Sequence, residues 1–227
     1  MPPALLAVAH GTRSAAGPET VRALLDRIRL LRPDLEIVEA YAEIAEPGLE
    51  AAAAALDGPV VAVPLMLARG YHALVDIPGR LGDEVVMARP LGPHSLLGAA
   101  LVDRLGVERS ADAVVLGAAG SSDPVGLTDV GVAARLLTRR LRRPVAHAFI
   151  GAGSPEVPEM VADLRRRGAR RVAIASYLLA PGYFHGRLLA AGADSVSPPI
   201  GAHDAVARLV LRRYDEALIR ARMPLAG

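Results

Sequence analysis

Cysteine, tryptophan and lysine are all missing from the 227 residues, and aromatic residues make up only 3% of them. Without cysteine the chain can build no disulfide framework, thiolate zinc site or cysteine-held iron–sulfur cluster, and it has no cysteine nucleophile. No apolar run approaches the ~20 residues that a membrane-spanning helix needs. The opening Met1-Pro2-Pro3 lacks the basic start of a secretory signal, so the chain is expected to be cytoplasmic. Every one of the 26 basic residues is arginine, so little titrates between histidine and tyrosine and the net charge of +2 persists to high pH. The isoelectric point of 9.4 therefore reflects a small surplus, not a nucleic-acid footprint, and there are few aromatic rings on which bases could stack. What is present is ordinary for a folded protein: 52% hydrophobic and 22% charged residues, which excludes wholesale disorder. The length suits one large α/β domain or two small ones.

Strand-length apolar stretches alternate with helical ones throughout. Ala4–Ala9, Glu36–Ala42, Val60–Leu67 and Glu84–Ala88 read as strands, the first and third nearly continuous in apolar residues, as strands covered on both faces are. Pro18–Leu31, Pro47–Leu56, Ile77–Gly82 and Ser95–Leu105 read as the helices among them. The rhythm then repeats, with strands at Ala113–Gly117, Val145–Ile150, Val172–Leu179 and Asp194–Ser197. The corresponding helices are Pro124–Leu141, Pro155–Arg167, His185–Ala191 and Asp204–Ala221, with Asp123 and Ser154 placed to cap two of them. The letters repeat as well: Leu6-Ala7-Val8-Ala9-His10-Gly11 parallels Val115-Leu116-Gly117-Ala118-Ala119-Gly120. A unit of roughly 110 residues is domain-sized, not solenoid-sized. The expected architecture is two similar three-layer α/β domains, 1–106 and 107–227, each with a mostly parallel four-stranded sheet.

Three groups able to bind metal or move protons leave three strand ends in the first half. His10 ends the first strand, Glu43 the second, and His72 lies just past the third; in open parallel sheets, ligands gather outside the carboxyl ends of the strands. Each has a plain structural reading, His10 as a loop or cap residue, Glu43 as a solvated carboxylate beside Glu46, and His72 as a side chain held by Asp76. The internal repeat weighs against these readings taken together. Ala119 matches His10, Phe149 stands opposite Glu43 when Ile44 is aligned with Ile150, and Phe184 matches His72, with His185 following. The fold unit recurs while the polar set occurs once, which points to one site in the amino-terminal half. The arginine runs 139–143 and 165–167 fall at helix ends, where cations complement the helix dipole, and His94, His147 and His203 read as structural. The Gly11–Gly17 loop has the look of an anion-binding turn but lacks the P-loop lysine and the dinucleotide glycine spacing.

His10-Gly11-Thr12-Arg13-Ser14, Glu43-Ile44-Ala45-Glu46-Pro47, and Pro64-Leu65-Met66-Leu67 running into Gly70-Tyr71-His72 and Asp76-Ile77-Pro78 together resemble the sirohydrochlorin chelatases. These are class II chelatases, which insert Co²⁺ or Fe²⁺ into a reduced tetrapyrrole on the way to cobalamin or siroheme. Ser176-Tyr177-Leu178-Leu179-Ala180-Pro181-Gly182-Tyr183-Phe184-His185 is similar to the carboxy-terminal half of two-domain members. The resemblance implies a bilobal chelatase-like fold with the macrocycle in its cleft and His10, Glu43 and His72 in the active site. It implies no permanent cofactor, the divalent ion (Co²⁺, Fe²⁺ or Ni²⁺) being a substrate. The His-rich tail and cysteine cluster of some members are missing.

Two neutral imidazoles suit such ions and leave positions open for ring nitrogens, so His10 and His72 are the expected ligands, with Glu43 as a proton acceptor or weak third ligand. Arginines and backbone N–H groups would meet the macrocycle's carboxylates. The expected substrate-binding set is Gly11, Thr12, Arg13, Ser14, Arg69, Tyr71 and Tyr183, with Arg80 reading more simply as surface charge. A monomer is the default expectation, with no nucleic-acid or membrane partner. A non-catalytic metal or tetrapyrrole carrier on the same fold is the alternative. A phosphohydrolase using His10 beside Arg13 ranks lower, because it leaves Glu43 and His72 with only a loose role.

Overall fold

A computed structural model describes residues 2–222. The strands are β1 (Ala4–Ala9), β2 (Ile37–Tyr41), β3 (Val60–Pro64), β4 (Val86–Met87), β5 (Ala113–Gly120), β6 (Val145–Ala152), β7 (Val172–Tyr177) and β8 (Ser195–Val196). The helices are α1 (Ala16–Leu31), α2 (Leu49–Ala54), α3 (Ile77–Leu81), α4 (Ser95–Leu105), α5 (Pro124–Leu141), α6 (Val157–Arg166), α7 (Tyr183–Leu189) and α8 (Asp204–Arg222). All strand pairs are parallel, in two four-stranded sheets ordered β2-β1-β3-β4 and β6-β5-β7-β8. No helix among the described residues is long and apolar enough to cross a membrane.

In the first sheet β1 lies between β2 and β3, and all six of its residues are buried because helices cover both faces. Leu6, Val8, Ala40 and Ala62 face α2 and α3 through Leu49, Ala52 and Ile77. Alternate residues Leu5, Ala7, Val61 and Val63 are also fully buried, on the side where α1, through its buried Val21, Leu24, Leu25 and Ile28, packs beside β2 and α8 packs on β3. Each fully buried Leu, Ile or Val contributes about 1.5–3 kcal/mol relative to exposure. The second sheet repeats the plan, with Val115, Ala148, Ile150 and Ile174 packed on Val157 and Val161 of α6 and Leu188 of α7.

The chain does not pack along the division at 106/107. Residues up to Leu91 together with those from Ala202 onward form one compact unit, and Gly92–Gly201 form the other. Each repeat thus gives its last helix to the other unit. α4 packs on α5 and β7, and α8 packs on α1, β3 and β4. The apolar stripe of α8 is Val206, Leu209, Val210, Tyr214 and Ala217, all fully buried, at helical spacing. Arg213, also buried, donates to the Pro90 and Leu91 carbonyls and pairs with Glu216, so its charge is neutralised where it packs. A histidine starts each exchanged helix: His94 Nδ1 accepts from Leu96 N–H at 3.1 Å, and His203 Nδ1 from Ala205 N–H at 3.0 Å. Asp123 caps α5 as expected, accepting from Val125 N–H at 2.8 Å. Ser154 does not cap α6, whose N-cap is Glu156 in a capping box with Glu159.

Candidate metal centre

With β1 between β2 and β3, the strand order reverses direction beside β1, the place where parallel sheets open a crevice. The ladder runs on past the strands here: Ala9 O accepts from Ala42 N–H, and His10 O from Glu43 N–H, each at 2.9 Å. That register sets His10 beside Glu43. Gly11 then turns away with φ of +100°, and a Cβ on it would stand 1.8 Å from the Glu43 carbonyl oxygen, so only glycine fits. After Glu43 the chain reverses tightly, with Ala45 N–H bonding Glu43 O at 2.7 Å and Ile44 held at φ of +68°. Positive φ in a β-branched residue costs about 1–3 kcal/mol, and strain of this kind gathers at functional sites.

His72 opens a single π-helical turn, His72–Asp76, that leads into α3. Its Nδ1 lies 3.0 Å from Asp76 Oδ2; a carboxylate only accepts, so Nδ1 carries a hydrogen, and in the neutral tautomer this selects, Nε2 has the lone pair. That Nε2 lies 3.8 Å from Glu43 Oε1, and the His10 and His72 rings are 4.6 Å apart between centroids. One ligand atom from each of His10, Glu43 and His72 lies within 4.8 Å of the others. Bonds of about 2.0–2.2 Å to a first-row divalent ion set neighbouring ligands about 3 to 3.5 Å apart, so a pair at the 4.8 Å limit would close by roughly 1.3–1.8 Å on binding. Desolvation by the surrounding protein atoms lowers the His10 pKa from its ordinary 6.5 even though the side chain keeps a solvent-facing edge, and His72 lowers it further, so the neutral form is favoured.

His10 and Glu43 are exposed and His72 half-buried, leaving the outer side of the trio open. Around it stand apolar side chains that a folded surface usually hides: Ile44, Tyr71, Leu74 and Val75, each 46–59% exposed. They lie on the same two segments that carry Glu43 and His72, and Tyr71 meets the His72 ring edge-on.

Of the expected substrate-binding residues, Arg13, Arg69 and Tyr71 are exposed on the unit that holds the trio. Thr12 Oγ1 accepts from Ser14 N–H at 3.3 Å, so that donor is already engaged. Tyr183 belongs to the other unit, 71% exposed and edge-on to Phe184, with the Arg187 guanidinium 5.9 Å above its ring. The second unit carries no copy of the trio. Tyr41 bridges Gly48 as Phe149 bridges Glu156, so Phe149 is the counterpart of Tyr41 and not of Glu43. Gly120 abuts the Ala152 carbonyl as Gly11 abuts that of Glu43, which puts an alanine, one bulge further on, in the carboxylate's place. Phe184 packs its ring at 3.0 Å over the Cβ position of Gly151, and His185 Nε2 faces the Ser197 carbonyl at 3.3 Å.

Arg80, which reads in the sequence as plain surface charge, is bound along both edges of its guanidinium. Its fork holds Glu50 at 2.6 and 2.8 Å while NH1 donates to the Ala42 carbonyl at 2.7 Å, and this pairing drops the Glu50 carboxyl to about 2. The i, i+4 spacing of Asp76 and Arg80 was the available signal.

The CbiX family model matches residues 4–107 and matches again at 113–217. The chain belongs to the CbiX family. Each copy of the repeat thus carries its own family match, although the compact units exchange their last helices. The sirohydrochlorin cobaltochelatase of Methanosarcina acetivorans is 32% identical over 112 residues, 41% of this chain and 86% of that one. The sirohydrochlorin ferrochelatase of Bacillus subtilis is 27% identical over 198 residues, 80% of this chain and 76% of that one. Among solved structures, SirB from Bacillus subtilis with Fe³⁺ superposes with a TM-score of 0.79 at 26% identity, covering 97% of both chains. The CbiX match and this superposition agree with the two parallel four-stranded α/β sheets.

Proposed function

We propose that this chain is a sirohydrochlorin chelatase that inserts a divalent ion, Co²⁺ or Fe²⁺, into the macrocycle, serving cobalamin or siroheme synthesis. The observation that carries the reading is the convergence of His10, Glu43 and His72 from three strand ends of one sheet. Membership of the CbiX family and relatives named as cobalto- and ferrochelatases support it.

Insertion exchanges one divalent ion for two ring N–H protons. The ion must lose water, the ring must lose both protons, and the ion must then leave the protein. His10 and His72 are the proposed ligands, each through an imidazole nitrogen; Glu43, exposed beside them, is the proposed acceptor of a ring proton or a weak third ligand. Two imidazoles and an exposed carboxylate grip less firmly than thiolates would, which favours handing the ion on over keeping it. The apolar side chains of Ile44, Tyr71, Leu74 and Val75 offer a surface for the ring face. Arg13 and Arg69 are the cations proposed for its carboxylates.

The Irving–Williams order applies to any such site, so affinity alone does not choose among Co²⁺, Fe²⁺ and Ni²⁺. The deciding experiment mixes catalytic amounts of protein with sirohydrochlorin and each ion in turn and follows the visible spectrum. Many equivalents of metallated product per protein are expected with Co²⁺ or Fe²⁺; a change that stops at one equivalent would make the chain a carrier. In the same assay Glu43→Gln slows turnover more than it weakens ion binding, because the amide can still ligate through oxygen but cannot accept the proton. His185→Ala reduces turnover less than either ligand substitution, since His185 faces the Ser197 carbonyl. An equal loss there would mean that the second unit supplies a ligand.

A further inference from the structure

Two arms carry the metal ligands. Glu43 rides on the loop after β2, and His72 on the π-turn before α3. Nothing in the sheet ladder links these arms to each other, because β1 lies between their strands. The link is made by one guanidinium. Arg80, in the last turn of α3, points NH1 at the carbonyl of Ala42, the residue before Glu43, at 2.7 Å. The same nitrogen stands 3.6 Å from Asp76 Oδ2, the oxygen that receives the His72 Nδ1 hydrogen at 3.0 Å. The opposite edge of the fork, Nε and NH2, is locked on both oxygens of Glu50 in α2.

A plainer account makes Arg80 an ordinary ion pair with Glu50, and exposed pairs of that kind contribute little. It leaves unexplained why the nitrogen not used by Glu50 faces both arms at once. Bidentate anchoring by Glu50 fixes the plane of the guanidinium, and a fixed plane lets NH1 bond the Ala42 carbonyl while keeping its charge 3.6 Å from the Asp76 carboxylate. Lysine cannot reproduce this, having one nitrogen and no plane.

We propose that Arg80 is a positioning residue for the metal centre, setting the spacing between Glu43 and His72 through the Ala42 carbonyl and through Asp76, which orients the His72 ring. This rests on the reading of His10, Glu43 and His72 as the metal site. Groups that orient a ligand typically govern metal affinity by about ten- to a hundredfold.

The test uses the full chain as wild type and as Arg80→Ala, Arg80→Lys, Asp76→Ala, Asp76→Asn and His72→Ala, with circular dichroism to verify folding. Co²⁺ is titrated against visible absorption, and turnover is measured with Co²⁺ and sirohydrochlorin varied separately. Arg80→Ala, Arg80→Lys and Asp76→Ala raise the KM for Co²⁺ about ten- to a hundredfold and leave that for sirohydrochlorin unchanged. Asp76→Asn recovers most of the Asp76→Ala loss, because the amide oxygen still accepts from Nδ1. Wild-type Co²⁺ affinity in both Arg80 variants, or equal damage from Asp76→Asn and Asp76→Ala, would overturn the proposal. His72→Ala separates the two readings: if it keeps its Co²⁺ spectrum, the metal site itself is misassigned, whereas its loss beside unaffected Arg80 variants sinks only the positioning role. Should Arg80→Ala not fold, Glu50→Gln loosens the same fork from an exposed position; a raised KM for Co²⁺ supports the proposal and an unchanged one refutes it.

Discussion

His10→Ala and His72→Ala each lower metal insertion more than a hundredfold while the far-ultraviolet circular dichroism stays that of the wild type. The size follows from the ligand count. Three side chains face the centre, and removing one imidazole leaves a histidine and an exposed carboxylate, a pair that water outcompetes. The loss therefore exceeds the roughly ten- to hundredfold typical of removing a group that merely supports a ligand. Folding survives because His10 is exposed and His72 half-buried, and neither ring belongs to the apolar cluster under the sheet. Both variants should lose the Co²⁺-dependent visible absorption together with turnover. Retained turnover in both would remove the site assignment.

Gly11→Ala is expected to reduce insertion nearly as far, without changing a single ligand. The added methyl would stand 1.8 Å from the Glu43 carbonyl oxygen, and φ of +100° is itself costly for any residue with a Cβ. The chain relieves the clash by moving Glu43 away from His10, which breaks the 2.9 Å bond between Glu43 N–H and His10 O that sets these two residues side by side. A natural control lies in the other unit. Gly120, at φ of +98°, would place its Cβ 1.8 Å from the Ala152 carbonyl oxygen, a clash of the same kind beside no metal ligand. Gly120→Ala should therefore cost similar stability, about 1–3 kcal/mol for the backbone conformation alone, in thermal unfolding. Its Co²⁺ affinity should remain that of the wild type. If both variants lose the ion equally, the effect is global destabilisation and not the geometry at Glu43.

Much of the architecture is legible in local sequence because its determinants are local. β1 is a continuous apolar run since both faces are covered, α4 begins and ends where the apolar spacing puts it, and α5 starts at the Asp123 cap. The trio is legible because parallel strands deliver their carboxyl ends to one edge, so a polar residue just past each of three adjacent strands must converge. The helix exchange is not legible: α4 and α8 have apolar stripes of the same kind, and periodicity says that a face is buried without saying against which sheet. Pairing Ile44 with Ile150 misplaced the second-half counterpart of Glu43. Ile44 is exposed on a positive-φ turn while Ile150 is buried in β6, so two identical letters serve different environments. Ser154-Pro155 resembles a capped helix start, whereas the reciprocal bonds of Glu156 and Glu159 fix the start of α6 two residues later. Arg80 reads as surface charge in the sequence because its partners, Ala42 and Glu50, are 38 and 30 residues away and meet it only in the fold.

The central claim is that a divalent ion sits among His10, Glu43 and His72. Crystals equilibrated with Co²⁺ and measured at the cobalt absorption edge test it most directly. The account requires an anomalous peak bonded at about 2.0–2.2 Å to an imidazole nitrogen of each histidine, with the Glu43 carboxylate beside it. A peak elsewhere on the chain, with those three side chains unligated, would contradict it.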